Sequence, residues 1–272
     1  MIDAHLHIWQ LARGDYGWLT PALGAIHRDV TLDDWRAVSS PCGVHGGVLV
    51  QAAPTEAETA FLLDQAEPAD DVLAVVGWVD LLARDAPARI EALARRPKLR
   101  GLRPMLQDIA DPDWMLQPAL APALQAMVGC GLVFDALVKP VHLPRLLRLA
   151  ARHPDLRIVI DHGAKPAIPG DAAGWAAWTE GLQALARETV AFCKLSGLWT
   201  EAVPGAPVEV VQRHAGWLLQ CFGPARCLWG SDWPVLELAG RYEAWQVAAR
   251  DGVPAEDRIA VFEGTARLAY GL

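Results

Sequence analysis

The sequence predicts a single-domain α/β protein, a (β/α)8 TIM barrel spanning residues 1–272. Three observations lead there. After a longer first gap, short β-rich apolar runs recur roughly every 25–35 residues, the spacing of a strand followed by a helix. Eight such runs can be marked, several of them apolar nearly throughout, as parallel strands covered on both faces are. A chain of 272 residues with 53% hydrophobic residues matches one barrel of about 250 residues and needs no second domain.

The first strand lies in Asp3-Ala4-His5-Leu6-His7-Ile8-Trp9, where apolar and polar residues alternate from Ile2 onward. Alternation on a strand puts Asp3, His5, His7 and Trp9 on one face, and Ile2, Ala4, Leu6 and Ile8 on the other. Two imidazoles two residues apart then reach one point from one side, a chelating geometry for a borderline metal such as zinc. The same pattern describes a strand with two ordinary polar residues, so the rest of the chain must decide. The remaining strands fall at 47–51, 73–79, 99–103, 132–135, 156–162, 190–196 and 226–230.

Helical signals fill the intervals. Thr55 followed by Glu58 opens an Ala- and Leu-rich helix as a capping box would. Residues 144–153 carry Leu146, Leu147, Leu149 and Ala150 on one face with Arg145, Arg148 and Arg152 elsewhere, and 118–127, 175–187, 208–221 and 242–250 read alike. The small-residue stretch 167–172, with Pro169 and Gly170, follows the sixth strand and reads as a loop at the barrel mouth.

Composition narrows the function classes. A net charge of −8 without any Lys/Arg run argues against nucleic-acid binding. No apolar run approaches the ~20 residues of a membrane span, and a strand beginning at residue 2 leaves no room for a signal peptide, so a cytoplasmic location is the default expectation. Five scattered cysteines, never spaced Cys-x-x-Cys, imply neither a disulfide framework nor a thiolate metal site. No Gly-x-Gly-x-x-Gly follows a strand and no Walker-type lysine motif is present.

In such a barrel the functional residues sit at the carboxyl ends of the strands, and the polar residues of this chain gather there. His5 and His7 lie on the first strand, Gln51 ends the second, Arg103 lies late on the fourth with Gln107 beyond it, and Asp135 closes the fifth. His162 ends the sixth, Lys194 and Ser196 lie late on the seventh, and Asp232 follows the eighth. Singly, His162 reads as a hydrogen-bonded loop histidine, Asp232 as a cap, and Arg103 and Lys194 as surface charges, although a lone charge in an apolar strand is costly. Their joint placement favours function. His27, in the long loop after the first strand, is a further candidate for the mouth; His45, His142, His153 and His214 read as structural or exposed.

Asp3-Ala4-His5-Leu6-His7-Ile8-Trp9, Leu99-Arg100-Gly101-Leu102-Arg103, Asp161-His162-Gly163-Ala164-Lys165-Pro166, Cys193-Lys194-Leu195-Ser196-Gly197 and Trp229-Gly230-Ser231-Asp232-Trp233-Pro234 resemble the motifs of the amidohydrolase-2 group of metal-dependent TIM-barrel hydrolases. Within that group the chain most resembles the sugar-lactonase branch, over nearly its whole length. The resemblance implies hydrolysis of an aldonolactone such as L-fuconolactone, with His5, His7, His162 and Asp232 as metal positions. It also implies one divalent ion, zinc or manganese, with metal-free operation left open, since some relatives work without one. Asp135 stands where the wider superfamily commonly places a histidine, which weighs against a two-metal centre.

On this reading Asp232 takes a proton from the attacking water and returns it to the ring oxygen. Arg103 and Lys194 stabilise the developing oxyanion or hold substrate oxygens, and Gln51, Gln107 and Trp233 shape the pocket. Two enzyme alternatives keep the site: hydrolysis of an anionic, dicarboxylate-type lactone, and metal-dependent decarboxylation. A barrel that binds a sugar acid without turnover is the non-enzymatic alternative, and the sequence leaves homo-oligomerisation open.

Overall fold

In the computed structural model, which describes residues 1–272, eight parallel strands follow one another round a single sheet in chain order. They are β1 (Ile2–Leu6), β2 (Gly46–Val50), β3 (Val72–Gly77), β4 (Leu99–Leu102), β5 (Val133–Ala136), β6 (Ile158–Ile160), β7 (Phe192–Leu195) and β8 (Cys227–Trp229). Helices α1 (Leu32–Ser39), α2 (Glu56–Ala66), α3 (Ala86–Leu93), α4 (Ala121–Gly129), α5 (Leu143–Arg152), α6 (Ala172–Glu188), α7 (Val208–Phe222) and α8 (Tyr242–Asp251) connect them, and α9 (Thr265–Tyr270) ends the chain. Every expected strand is present, and α1, α3 and α9 are helices the periodicity did not single out. No helix is long and apolar enough to cross a membrane, and all five cysteines are free thiols.

The ring is nearly closed. β8 and β1 are not paired along their length, but past their ends Asp232 N donates to His5 O and His7 N donates to Trp233 O, each at 2.8 Å. Gly230 makes this approach feasible, because a β-carbon there would lie 2.8 Å from the His5 Cβ and 2.9 Å from the His5 backbone nitrogen.

Alternate strand residues, among them Val48, Val50, Ala74, Val76, Val133 and Val159, fill the barrel interior, and Ala266, Ala269 and Tyr270 of α9 close its floor. The first strand departs from simple alternation. Asp3 pairs with Gly47 but Leu6 with Leu49, so three steps on β1 match two on β2, which is a bulge. Ile2 and Ala4 therefore face the interior while Leu6 and Ile8 join the outer apolar layer. Asp3 does not share a face with His5 and His7, as strict alternation would require. Its carboxylate points at the helix layer, accepting from Trp35 Nε1 (3.3 Å), Tyr242 OH (2.8 Å) and Ser231 Oγ (2.6 Å). Trp9 is likewise buried in the outer layer.

Helix α2 is also capped differently from a capping box. Thr55 Oγ1 accepts from Glu58 N at 3.0 Å, but the Glu58 carboxylate accepts from Ala52 N and Ala53 N at 2.9 and 2.7 Å. Glu58 thus lies buried beneath the β2–α2 loop and holds the wall of the mouth.

Candidate active site

Three imidazoles converge on one carboxylate oxygen at the carboxyl ends of the strands. His7 Nδ1 donates to Val50 O at 2.7 Å, and its Nε2 faces Asp232 Oδ1 at 3.3 Å. His5 Nε2 stands 3.7 Å and His162 Nε2 3.9 Å from the same oxygen. His162 is steadied through Nδ1 by Ser196 Oγ at 2.9 Å. All of these contacts fall on Oδ1.

Local backbone geometry aims these groups. His162 begins a left-handed turn through Gly163, Ala164 and Lys165, with φ of 53°, 54°, 63° and 50°, and Asp232 has φ 60°. Non-glycine residues held so cost roughly 1–2 kcal/mol each, and such strain gathers at functional sites. Trp178 Nε1 fixes the turn by donating to Gly163 O at 2.6 Å. Gly197 is required opposite, since a β-carbon there would collide with the His162 ring.

Below the imidazoles lies a buried ionic layer. Lys194 Nζ reaches Asp135 Oδ2 at 2.7 Å, Asp161 Oδ1 at 2.8 Å and His5 Nδ1 at 3.1 Å. Arg103 Nη1 pairs with Asp161 Oδ2 at 3.2 Å, and Nη2 donates to Gln51 O. Tyr270 OH donates to Asp135 at 2.9 Å. Burial depresses His5 far below its usual range, helped by the Lys194 charge, and takes His162 down to about 4. Burial opposes ionisation of Asp161, but Lys194, His5 and Arg103 outweigh it and hold the group well below the usual range. Burial also works to raise Asp232, and the facing imidazoles, His162 foremost, hold it low. Burial lifts Asp135 despite Lys194. At neutral pH the centre therefore contains neutral His5 and His162 beside an ionised Asp232.

This geometry fits a divalent ion. The donor atoms of His5, His7 and Asp232 all lie within 4.8 Å of one another, as do those of His5, Asp161 and His162. A tetrahedral zinc site with ligand bonds of about 2.0–2.1 Å has edges of about 3.3 Å, close to the His7–Asp232 separation of 3.3 Å. Three carboxylates, Asp135, Asp161 and Asp232, face two cations, Arg103 and Lys194, an excess of one negative charge.

Above this centre a cavity of about 290 Å³ is lined by His7, Arg103, His162 and Asp232 together with Gln107, Met105, Trp18 and Lys165. Four residues expected at the substrate lie elsewhere. Lys194 is fully buried, hydrogen-bonded to Asp135 and His5 Nδ1 and ion-paired with Asp161, so it lies beneath the imidazole rather than against substrate oxygens. Gln51 is fully buried and donates to Arg103 O at 2.7 Å, supporting the arginine. Trp233 is buried with its Nε1 donating to Glu237 at 2.8 Å, and His27, in the long first loop, is not part of the cavity wall. Conversely, Asp161, Lys165, Met105 and Glu58 join or support the site without having been singled out. Period-two alternation from Val159 places Asp161 inside the barrel, which was the available signal. A larger cleft of about 470 Å³ at the opposite end of the barrel holds none of these residues.

An eight-stranded parallel barrel with histidine and carboxylate donors gathered at its mouth is the architecture of a barrel enzyme with a candidate metal centre. More narrowly, the chain belongs to the amidohydrolase family (Amidohydro_2), whose pattern matches residues 2–272. It is 50% identical to the L-fucono-1,5-lactonase of Burkholderia ambifaria over 247 residues, which are 90% of this chain and 84% of that protein. The L-fucono-1,5-lactonase of Burkholderia multivorans is 35% identical over 100% of this chain and 96% of its own. A crystal structure of an amidohydrolase from Burkholderia multivorans with bound zinc superposes with a TM-score of 0.93 at 34% identity, covering 100% of this chain and 99% of that one.

Proposed function

We propose that this protein opens a neutral, polyhydroxylated sugar lactone of the L-fucono-1,5-lactone type to its acid. The observation that carries the choice of substrate is the pairing of every cation at the site. Arg103 is matched by Asp161, Lys194 by Asp135 and Asp161, and Lys165 by Glu201. A dicarboxylate would need cations free to receive it. Gln107, by contrast, lines the cavity with an uncharged amide, which carries donors and an acceptor suited to hydroxyl groups. The cavity volume of about 290 Å³ suits a single ring. The lactonase relatives support the same reading.

His5, His7 and Asp232 are the residues that would hold a divalent metal, with His162 beside them; zinc suits the donor set, and manganese is the second candidate. Such an ion supplies Lewis acidity toward the lactone carbonyl. Asp232, ionised at neutral pH, accepts the proton of the attacking water and delivers it to the ring oxygen as the ring opens. Arg103 stands at the cavity wall, where its guanidinium stabilises charge developing on the carbonyl oxygen. Lys194 and Asp161 hold His5, and Ser196 holds His162.

A panel of neutral aldonolactones, a pyrone dicarboxylate and an aromatic carboxylate, followed by a pH indicator and by CO2 release, tests this assignment. Acid release from the neutral lactones alone is the expected result. Turnover of the dicarboxylate with none of the neutral lactones, or CO2 release, would overturn it.

A further inference from the structure

The floor of the barrel is wired to its mouth through one chain of polar contacts. Tyr270, from the last helix of the protein, is fully enclosed inside the barrel and gives its hydroxyl to Asp135, 2.9 Å from each carboxylate oxygen. Asp135 takes Lys194 Nζ at 2.7 Å, and that ammonium, lying 5.4 Å from the centre of the Tyr270 ring, reaches His5 Nδ1 at 3.1 Å. The opposite nitrogen of the same imidazole is the one that faces Asp232.

An ionic layer of this kind is expensive as a mere filler. Replacing buried ion pairs by apolar side chains of equal volume is commonly neutral or stabilising, and the adjoining interior is already built from valines and alanines. The ammonium has no contact with the cavity, so its effect must pass through what it touches. Its neighbours are two carboxylates and the imidazole nitrogen, and the carboxylate on the floor side is shared only with Tyr270.

We propose that Tyr270 and Asp135 are positioning residues for the reaction, setting the place of the Lys194 ammonium and so the ring orientation of His5. The final helix is then part of the active centre's support, 265 residues along the chain from the imidazole it orients. Removing the Tyr270 hydroxyl leaves Asp135 with Lys194 as its sole donor, draws the ammonium toward the floor and slackens its grip on His5 Nδ1. This inference rests on the lactonase reading for its kinetic part alone.

The test compares Tyr270→Phe, which keeps the ring and deletes the hydroxyl, with Arg157→Met. Arg157 Nη1 donates to Ala269 O at 3.2 Å and anchors the same helix without touching the ionic chain. Both variants and the wild type are assayed for kcat and KM on an aldonolactone, for melting temperature, and for histidine ring-nitrogen shifts in 15N-histidine-labelled protein. The expected result for Tyr270→Phe is a kcat lowered about tenfold or more with KM within about twofold, as for an interaction acting on the reacting arrangement, together with displaced His5 nitrogens. Arg157→Met should melt earlier with unchanged kcat and unmoved His5 signals. An unchanged kcat and spectrum in Tyr270→Phe overturns the proposal, as does an equal kcat loss in Arg157→Met, which would make the helix a simple plug. A wild-type chain that opens no lactone overturns the lactonase reading alone, and the His5 shifts then decide the positioning role.

Discussion

Gly230 passes so close to His5 that a β-carbon on it would fall 2.8 Å from the His5 Cβ. The neighbours on that side are backbone and the first atom of a side chain, neither of which can swing away. Gly230→Ala must therefore push β8 off β1 and turn His5 out of line. Overpacking of this kind costs about 1–3 kcal/mol, so the variant should fold with a lower melting temperature. Its kcat/KM on a lactone should drop by roughly tenfold or more, a 1 Å error at reacting groups being costly. Wild-type activity in Gly230→Ala would show that the seam tolerates displacement.

Asp232→Asn keeps size and tolerates the left-handed backbone at φ 60°. It removes the proton acceptor with little disturbance to the fold. Steady-state kinetics should show kcat at least ~100-fold lower, the usual range for a general base. Near-normal turnover would take the role of base away from Asp232.

Metal content gives a prediction independent of rate. Elemental analysis should find on the order of one divalent ion per chain after growth with zinc or manganese, and His7→Ala should lose it. Chelator treatment should abolish turnover, and re-addition of the ion should restore it. Full activity in stripped protein would assign the imidazoles to the substrate carbonyl directly.

The pH dependence of stability has two opposed parts. Burial lifts Glu58 from 4.5 to about 7, against the pull of the Ala52 and Ala53 N–H groups. A carboxyl raised by folding contributes stability that is complete below 4.5 and is lost as pH rises through 7. Burial takes His162 from 6.5 to about 4, and its contribution runs the other way, present above 6.5 and lost as pH falls through 4. The wild type should therefore show a shallow net slope where the windows overlap. Urea unfolding of Glu58→Gln across pH 4.5–7 should show stability rising more steeply with pH than in the wild type. Parallel profiles would remove Glu58 from the titration.

The strand order was legible because parallel strands covered on both faces read as apolar runs, and all eight fall where those runs lie. Depth inside the barrel was not. Phe192 and Lys194 share one interior face of β7, with Ser196 just beyond its end, and nothing in residue type says that Lys194 sits beneath the imidazoles rather than beside the substrate. Gln51 lies outside the cavity wall for the same reason, buried with its amide nitrogen turned to Arg103 O. The β1 bulge erased the expected common face of Asp3 and His5, since an extra residue in a strand carries no side-chain signature. The left-handed turn at His162 was hinted at only by Gly163 and weakly by the histidine itself, because alanine and lysine have no preference for that conformation.

The hydrogen bonds that draw β8 onto β1 belong to His5, His7, Asp232 and Trp233 themselves. Ring and centre consequently share one fastening, and the barrel cannot gape at that seam without parting the imidazoles from the carboxylate. Warming should silence the protein while its helices are still intact, so that catalysis, rather than ellipticity, is the first gauge of the barrel coming undone.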